Sequence, residues 1–303
     1  RLGADPDRLW RAMACAAREQ TAYEEALAEI GDRTLEHARI NDLDVVLVVG
    51  SLHVIHDPCV NASIPQLLRE NGVLALPMDC FRIEESVHPI ERLGWADARR
   101  ALRSAIAARA LGDVYPLMLT SFGCGPSSFA EQVLSALMEG YPHTVLESDG
   151  HGGAAGYVTR VQAFLHTVRR HDGASSAPLA HRLRMLDPLP EANGEGDAPE
   201  ETIILRVGDQ LPEVLVAVYS AFGLPATASP RSTPESLALG RQDCSGKECL
   251  PYQLIWGSFR QELEAEGRNG ARASLLTVTG EGRCRNCMFS VKDRMSIEHL
   301  GLT

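Results

Sequence analysis

Hydrophobic and polar positions alternate along the chain between a helical period and short, continuous apolar runs. The stretch "LWRAMACAAREQTAYEEALAEIGDRTLEHA" carries apolar residues at helical spacing with an Ala-rich face, which predicts a long helix with Cys15 packed on its apolar side. "DLDVVLVVGS" follows as an unbroken β-branched run, the pattern of a strand buried on both faces of a parallel sheet. "LHVIHDPCVNA" reads as a loop, "SIPQLLRENG" as a helix ending before Gly72, and "VLALPMD" as a strand. "ADARRALRSAIAARALG" is an amphipathic helix, and "VYPLMLTSFGCGP" is a strand breaking into a Gly/Pro turn. "SSFAEQVLSALMEG" opens on serines suited to N-capping, "HTVLESD" is a strand, and "AGYVTRVQAFLHTVRRH" is a helix. From "HDGASSAPLAH" through "DPLPEANGEGDAPEE" the apolar period fades into Pro, Gly, Ala, Ser and acid. A second alternation then runs from the strand "TIILRVG" through the helices "LPEVLVAVYSAFG" and "LIWGSFRQELEAEG" to the strand "ASLLTVTG". The expected fold is α/β, with two doubly wound, mainly parallel (Rossmann-like) domains. They span 1–175 and 201–303, joined by a linker over 176–200.

Composition narrows the partners. The 303 residues are 45% hydrophobic, enough for a sizeable core, and the net charge of −11 argues against nucleic acid or an anionic membrane surface. No apolar run approaches the roughly 18 residues of a membrane span. The opening "RLGADPDRLW" has neither Met nor a signal-peptide core. It reads as a piece of a longer, cytoplasmic polypeptide.

Eight cysteines in 303 residues are too sparse for a disulfide scaffold. In a reducing compartment, clustered thiols point to metal or redox chemistry. "DCSGKEC" holds Cys244 and Cys249, and "GRCRNCMF" holds Cys284 and Cys287. Cys124 stands directly after the strand "PLMLTS", Cys284 just after "SLLTVTG", and Cys249 before a helix. These are carboxyl-end positions where α/β folds bind ligands. Zinc is one reading, although only "CRNC" has knuckle spacing and no metal-spaced His pair stands nearby. Burial as small hydrophobes is another, and it fits poorly with the polar turns "SGKE" and "GEGR".

Four ordered stretches carry a resemblance: "TSFGCGPSSF", "ESDGHGGAAGYVTRVQAFL", "SGKECLPYQLIWG" and "GEGRCRNCMF". In that order they resemble the activase-related 2-hydroxyacyl-CoA dehydratase family, including its D-component-like and double-cubane members. "VVGSLHVIHDPCVNASIPQLLRENGVLALPMD" is similar to the region before the first cysteine motif in the large activase fusions of that family. The resemblance implies a [4Fe-4S] iron–sulfur cluster held by Cys124, Cys249 and Cys284. Cys244, Cys287 and Cys80 would be neighbours of that cluster or ligands of a second cubane. It also implies low-potential electrons from an ATP-dependent activator protein or upstream ATPase domain, and a homologous subunit or homodimer partner. The reaction would be reduction or dehydration of a small molecule or acyl-CoA. The alternative is a non-catalytic scaffold stabilised by zinc or an iron–sulfur cluster.

Other polar groups have two readings each. Glu147, Asp149 and His151 follow a strand and could serve as proton donors, or Asp149 could simply shape a turn. Lys247 could offset an anionic cluster or face solvent. His53, His56 and Asp57 read as surface polar structure rather than metal ligands, and Cys59 beside them is ambiguous. No phosphate loop or dinucleotide fingerprint is present, so ATP hydrolysis is expected elsewhere.

Overall fold

The computed structural model describes residues 5–149, 153–171, 179–187, 201–206, 210–265, 273–277, 280 and 284–302. The chain divides into two compact units. The first comprises Arg1–Pro89 and Ala96–Leu179, the second Ile90–Trp95 and Ala180–Thr303.

The first unit begins with α1 (Pro6–Ile40), capped by the Asp5 carboxylate, which accepts the Asp7 N–H at 3.2 Å. It continues through β1 (Val45–Val49), α2 (Leu52–His56), α3 (Ile64–Glu70), β2 (Leu74–Pro77), α4 (Ala96–Leu111), β3 (Val114–Ser121), α5 (Gly125–Leu137), β4 (Thr144–Ser148) and α6 (Ala154–Arg169). Its strands form one parallel sheet in the order β2-β1-β3-β4. All five residues of β1 are buried, as the β-branched run predicts for a strand covered on both faces. Leu76, Leu117, Leu119 and Leu146 carry the same core across the neighbouring strands, and α4 packs over β1 and β3.

Only the second half of α1 joins this core. Every residue from 5 to 26 is exposed, and the buried ones are Gly31 and Ala38. At Gly31 the helix passes so close to the turn after β2 that a Cβ would stand 1.7 Å from the Cys80 carbonyl oxygen. Cys15, expected as a packing residue, is exposed instead. Its Ala-rich face is helical as predicted but stays exposed, with no neighbour packed on it among the described residues.

The second unit contains α7 (Leu179–Arg184), β5 (Glu201–Ile204), α8 (Leu211–Ala221), β6 (Ala226–Ala228), α9 (Pro234–Gln242), α10 (Leu250–Leu263) and β7 (Ala273–Leu276). A 3₁₀ turn over Arg285–Met288 then leads directly into α11 (Phe289–His299). Its sheet is also parallel, in the order β6-β5-β7. The segment Ile90–Trp95, which the sequence places inside the first domain, belongs to this unit, with Ile90 and Leu93 almost fully buried.

Two local expectations change. The loop after β1 contains the short helix α2. The serines expected to cap α5 lie inside it: the helix starts at Gly125 with Cys124 as N-cap, and Ser128 donates to the Gly125 carbonyl at 2.7 Å. Among the described residues no helix is long and apolar enough to cross a membrane.

Candidate functional site

Strand order in the first unit reverses direction at β1, with β2 on one side and β3 on the other. The carboxyl edge at such a reversal is where open parallel sheets leave a crevice for ligands. Cys124 lies there. It is half-buried in extended backbone (φ −63°, ψ 118°), and its N–H donates to the Ser121 carbonyl at 3.1 Å. As N-cap of α5 it stands beside the unpaired N–H groups of that helix's first turn, a place that favours negative charge. The Phe122 N–H donates to the Ser148 carbonyl at 2.8 Å, tying this turn to the end of β4. Asp149 is therefore exposed on the same edge, one strand over, while Glu147 is half-buried within β4. His151 lies outside the described residues.

Cys80 occupies the turn after β2 and is 9% exposed. Burial pushes its thiol up, Asp79 adds to the push, and Arg100 opposes it. The Arg100 guanidinium donates to the Met78 and Asp79 carbonyls at 3.3 and 3.2 Å. His56 bonds the Asp79 carboxylate at 3.0 Å, and the Asp57 carboxylate accepts the Cys59 and Val60 N–H groups at 2.8 and 3.2 Å. His56 and Asp57 are thus surface polar structure, as expected; His53 and Cys59 are exposed.

In the second unit the "DCSGKEC" loop hangs between α9 and α10, which cross at glycines. A Cβ at Gly257 would meet the Ser236 carbonyl oxygen at 1.7 Å, and one at Gly240 would meet that of Gln253 at 1.9 Å. The loop closes around a buried carboxylate. Glu248 accepts the Ser245 N–H at 3.1 Å and its hydroxyl at 3.0 Å, and pairs with Lys292 of α11 at 3.3 Å. Burial would raise its pKa, but the N–H donors of Ser245 and Glu248 together with Lys292 hold it below the usual carboxylate range. Asp243, at the loop's other end, accepts Trp256 Nε1–H at 2.6 Å and pairs with Arg260.

Cys249 is the N-cap of α10, in extended backbone (φ −65°, ψ 150°). Cys244, half-buried beside Glu248, is pushed up to about 12, mainly by burial and then by the Glu248 charge. Cys249 lies close enough to add to that push. Cys284 precedes the 3₁₀ turn and is exposed, whereas Cys287 within it is buried. Burial raises the Cys287 thiol, while the Gly94 N–H, directed at its sulfur, acts the other way. All eight cysteines are free thiols.

The second unit thus brings Cys244 beside Cys249, and Cys284 beside Cys287. Among the described residues no three His, Cys, Asp or Glu side chains gather closely enough to hold a metal ion. Cys124 and Cys249 each cap the start of a helix, where N–H groups favour negative charge on sulfur. In the first unit Cys80 stands in the turn after β2 and Cys124 directly after β3, whereas in the second α9 separates β6 from Cys244 and Cys249.

Several groups here escape the sequence reading. Tyr252, fully buried, sets its ring edge against Phe289 at 5.0 Å and its hydroxyl beside Asp293. Lys292 pairs with the buried carboxylate of Glu248. A cavity of about 550 Å³ opens beside Cys244, lined in part by Arg182, Ser245, Lys292, Ser296 and His299. A carboxylate next to Cys249 in "GKEC" was the available signal, and "VKD" after the last cysteine was its counterpart.

Residues 1–81 match the family model described as CoA enzyme activase uncharacterised domain (DUF2229). The match takes in α1 through β2 and Cys80, and stops short of Cys124. No curated protein and no solved structure matches the chain.

Proposed function

We propose that the chain is an iron–sulfur redox component of an activase-dependent system related to the 2-hydroxyacyl-CoA dehydratases. In this reading Cys124, Cys249 and Cys284 hold a [4Fe-4S] cluster, and Cys80, Cys244 and Cys287 are its neighbours or ligands of a second one. The observation that carries it is that Cys124, directly after β3, Cys249 and Cys284 each stand as the N-cap of a helical turn, at the starts of α5, α10 and the 3₁₀ turn before α11. The similarity of residues 1–81 to the activase-associated domain supports the same reading. A bound cluster would supply one-electron chemistry at a potential set by nearby charge and N–H donors.

The chain's own groups have defined parts in this. The Gly94 N–H and the first turns of α5 and α10 offset negative charge on sulfur, and Lys292 answers the buried Glu248 at the back of the loop. Asp149, exposed at the end of β4, is the candidate to carry a proton to a substrate at the Cys124 edge. In this reading electrons come from a separate ATP-dependent activator or an upstream ATPase domain, as the resemblance implies, in keeping with the similarity of residues 1–81 to a CoA enzyme activase domain.

The test is anaerobic purification of the whole chain with iron, sulfide and zinc analysis. Iron and sulfide in equal amounts, about four of each per cubane, are expected. Alanine at Cys124, Cys249 or Cys284 should abolish that content, while Cys15→Ala leaves it unchanged. Stoichiometric zinc without sulfide, or iron that survives all three substitutions, would overturn the assignment.

A further inference from the structure

One face of α11 opens onto space rather than onto core. Lys292, Met295, Ser296 and His299 recur along it at helical spacing and line the cavity of about 550 Å³ beside Cys244. Asp243 and Cys244, where the cysteine loop leaves α9, line it as well, and every lining residue belongs to the second unit. The volume lies within the roughly 300–1,000 Å³ of small-molecule sites.

The wall has used its acceptors but not its donors. Asp243 accepts Trp256 Nε1–H at 2.6 Å and pairs with Arg260, while Glu298 accepts the Arg182 guanidinium at 2.8 Å and faces His181 at 3.4 Å. Lys292 is placed differently. Its ammonium has three N–H donors, and among the described residues it reaches one carboxylate, that of Glu248 at 3.3 Å, which is fully buried and not part of the lining. Ser296 is 3% exposed and stands beside Tyr252, yet its own hydroxyl has no hydrogen-bond partner. A buried hydroxyl left in that state is costly until a ligand or water takes it. Asp293, one turn earlier on α11, is pushed up to about 7, mainly by burial, so much of its negative charge is withheld near neutrality. Met295 and the Cys244 thiol give the wall its least polar stretch.

We propose that this cavity binds a small organic acid with a short apolar chain. The carboxylate accepts from the Lys292 ammonium and the Ser296 hydroxyl, and the chain lies along Met295 toward Cys244. A carboxylate fits better than a neutral carbonyl because a charged acceptor gains most from an ammonium donor. The acids of the wall do not compete with it for Lys292, since each is held by an arginine of its own. The site rests on side chains of the second unit alone and needs no bound cluster, so its failure would leave the assignment of the cysteines untouched.

Calorimetry of the whole chain with butyrate and with butyramide, which has the same shape without the charge, tests the head group. One butyrate per chain should bind, and butyramide should bind at least about tenfold more weakly. Ser296→Ala should weaken butyrate about fivefold with unchanged circular dichroism, since no hydrogen bond of the fold is lost. Lys292→Met alone would strand the buried Glu248 charge, so the second variant is K292M/E248Q, which should hold butyrate and butyramide equally. Location is read from alkylation at alkaline pH, followed peptide by peptide by mass spectrometry. Bound butyrate should slow the reaction of Cys244 and leave that of the exposed Cys15 unchanged. No binding, equal affinity of the unmodified chain for the two ligands, butyrate affinity unchanged in both variants, or Cys244 alkylated as fast with butyrate as without it would each overturn the proposal.

Discussion

Two buried carboxylates behind the cysteine loop solve the same problem in opposite ways. Glu248 keeps its charge because N–H donors and Lys292 surround it, so it contributes stability above the unfolded carboxylate range and loses it as pH falls. Asp293 is pushed up to about 7, mainly by burial, with Tyr252 and Lys292 opposing. Its sign is the reverse. As pH rises from the ordinary carboxylate range toward 7, the unfolded chain releases the Asp293 proton before the folded one does, and stability declines across that window. Asp293→Asn, an isostere that cannot ionise, should flatten the decline. Urea midpoints of the metal-free protein at pH 5 and pH 7.5 would show it: the drop between them should shrink in the variant, and an unchanged drop would reject the assignment. Neither carboxylate was readable as buried from the sequence. Glu248 stands in a polar turn and Asp293 among charges in "VKDRM", and only the fold encloses both.

At the scale of elements, what was legible followed the strength of the period. The strands of the first sheet and the helices between them announce themselves through long apolar runs. β6 does not: "ATA" is three residues with no apolar run, and it is a strand because it pairs with β5. α9 and α11 are polar helices whose inward faces rest on small residues and on Phe289 and Val291, so a hydrophobic stripe is weak in both. α1 shows the opposite failure. Its apolar face was legible, but a sequence cannot separate a face that meets the core from one left exposed, and Cys15 was misplaced for that reason. Cys124 and Cys249 were legible as the residues that open α5 and α10, whereas the glycine crossing that fixes the loop was not. Gly257→Ala tests that crossing. A methyl there must displace the Ser236 carbonyl, and overpacking of this kind costs about 1–3 kcal/mol or more. The denaturation midpoint should fall accordingly, and Cys244 should become more reactive toward thiol reagents as α9 and α10 part. A variant with native stability and an unreactive Cys244 would mean the helices yield freely.

At the scale of the whole molecule, the chain does not hand its second unit over in one piece. A boundary near residue 200 looks natural because the apolar period stops and restarts there, and it suggests that 201–303 folds alone. Yet Ile90–Trp95 belongs to the second unit. Ile90 is almost fully buried although its φ of 51° is unfavourable for a β-branched residue, which implies that the surrounding packing holds it there. Leu93 is fully buried, Arg92 donates to the Ser290 hydroxyl at 3.1 Å, and the Gly94 backbone counters the rise that burial gives the Cys287 thiol. A fragment of residues 180–303 therefore loses two buried apolar side chains, the Arg92–Ser290 hydrogen bond and the Gly94 backbone beside the Cys287 thiol. Losses of that kind cost several kcal/mol, a large share of a small domain's stability. The fragment should show a broad or absent urea transition and a Cys287 that reacts quickly with a thiol reagent. Co-expression with residues 1–179, which carry the missing segment, should restore both the cooperative transition and the slow reaction. A 180–303 fragment that unfolds as cooperatively as the intact chain, with Cys287 equally protected, would show that Ile90–Trp95 only rests on a unit complete without it.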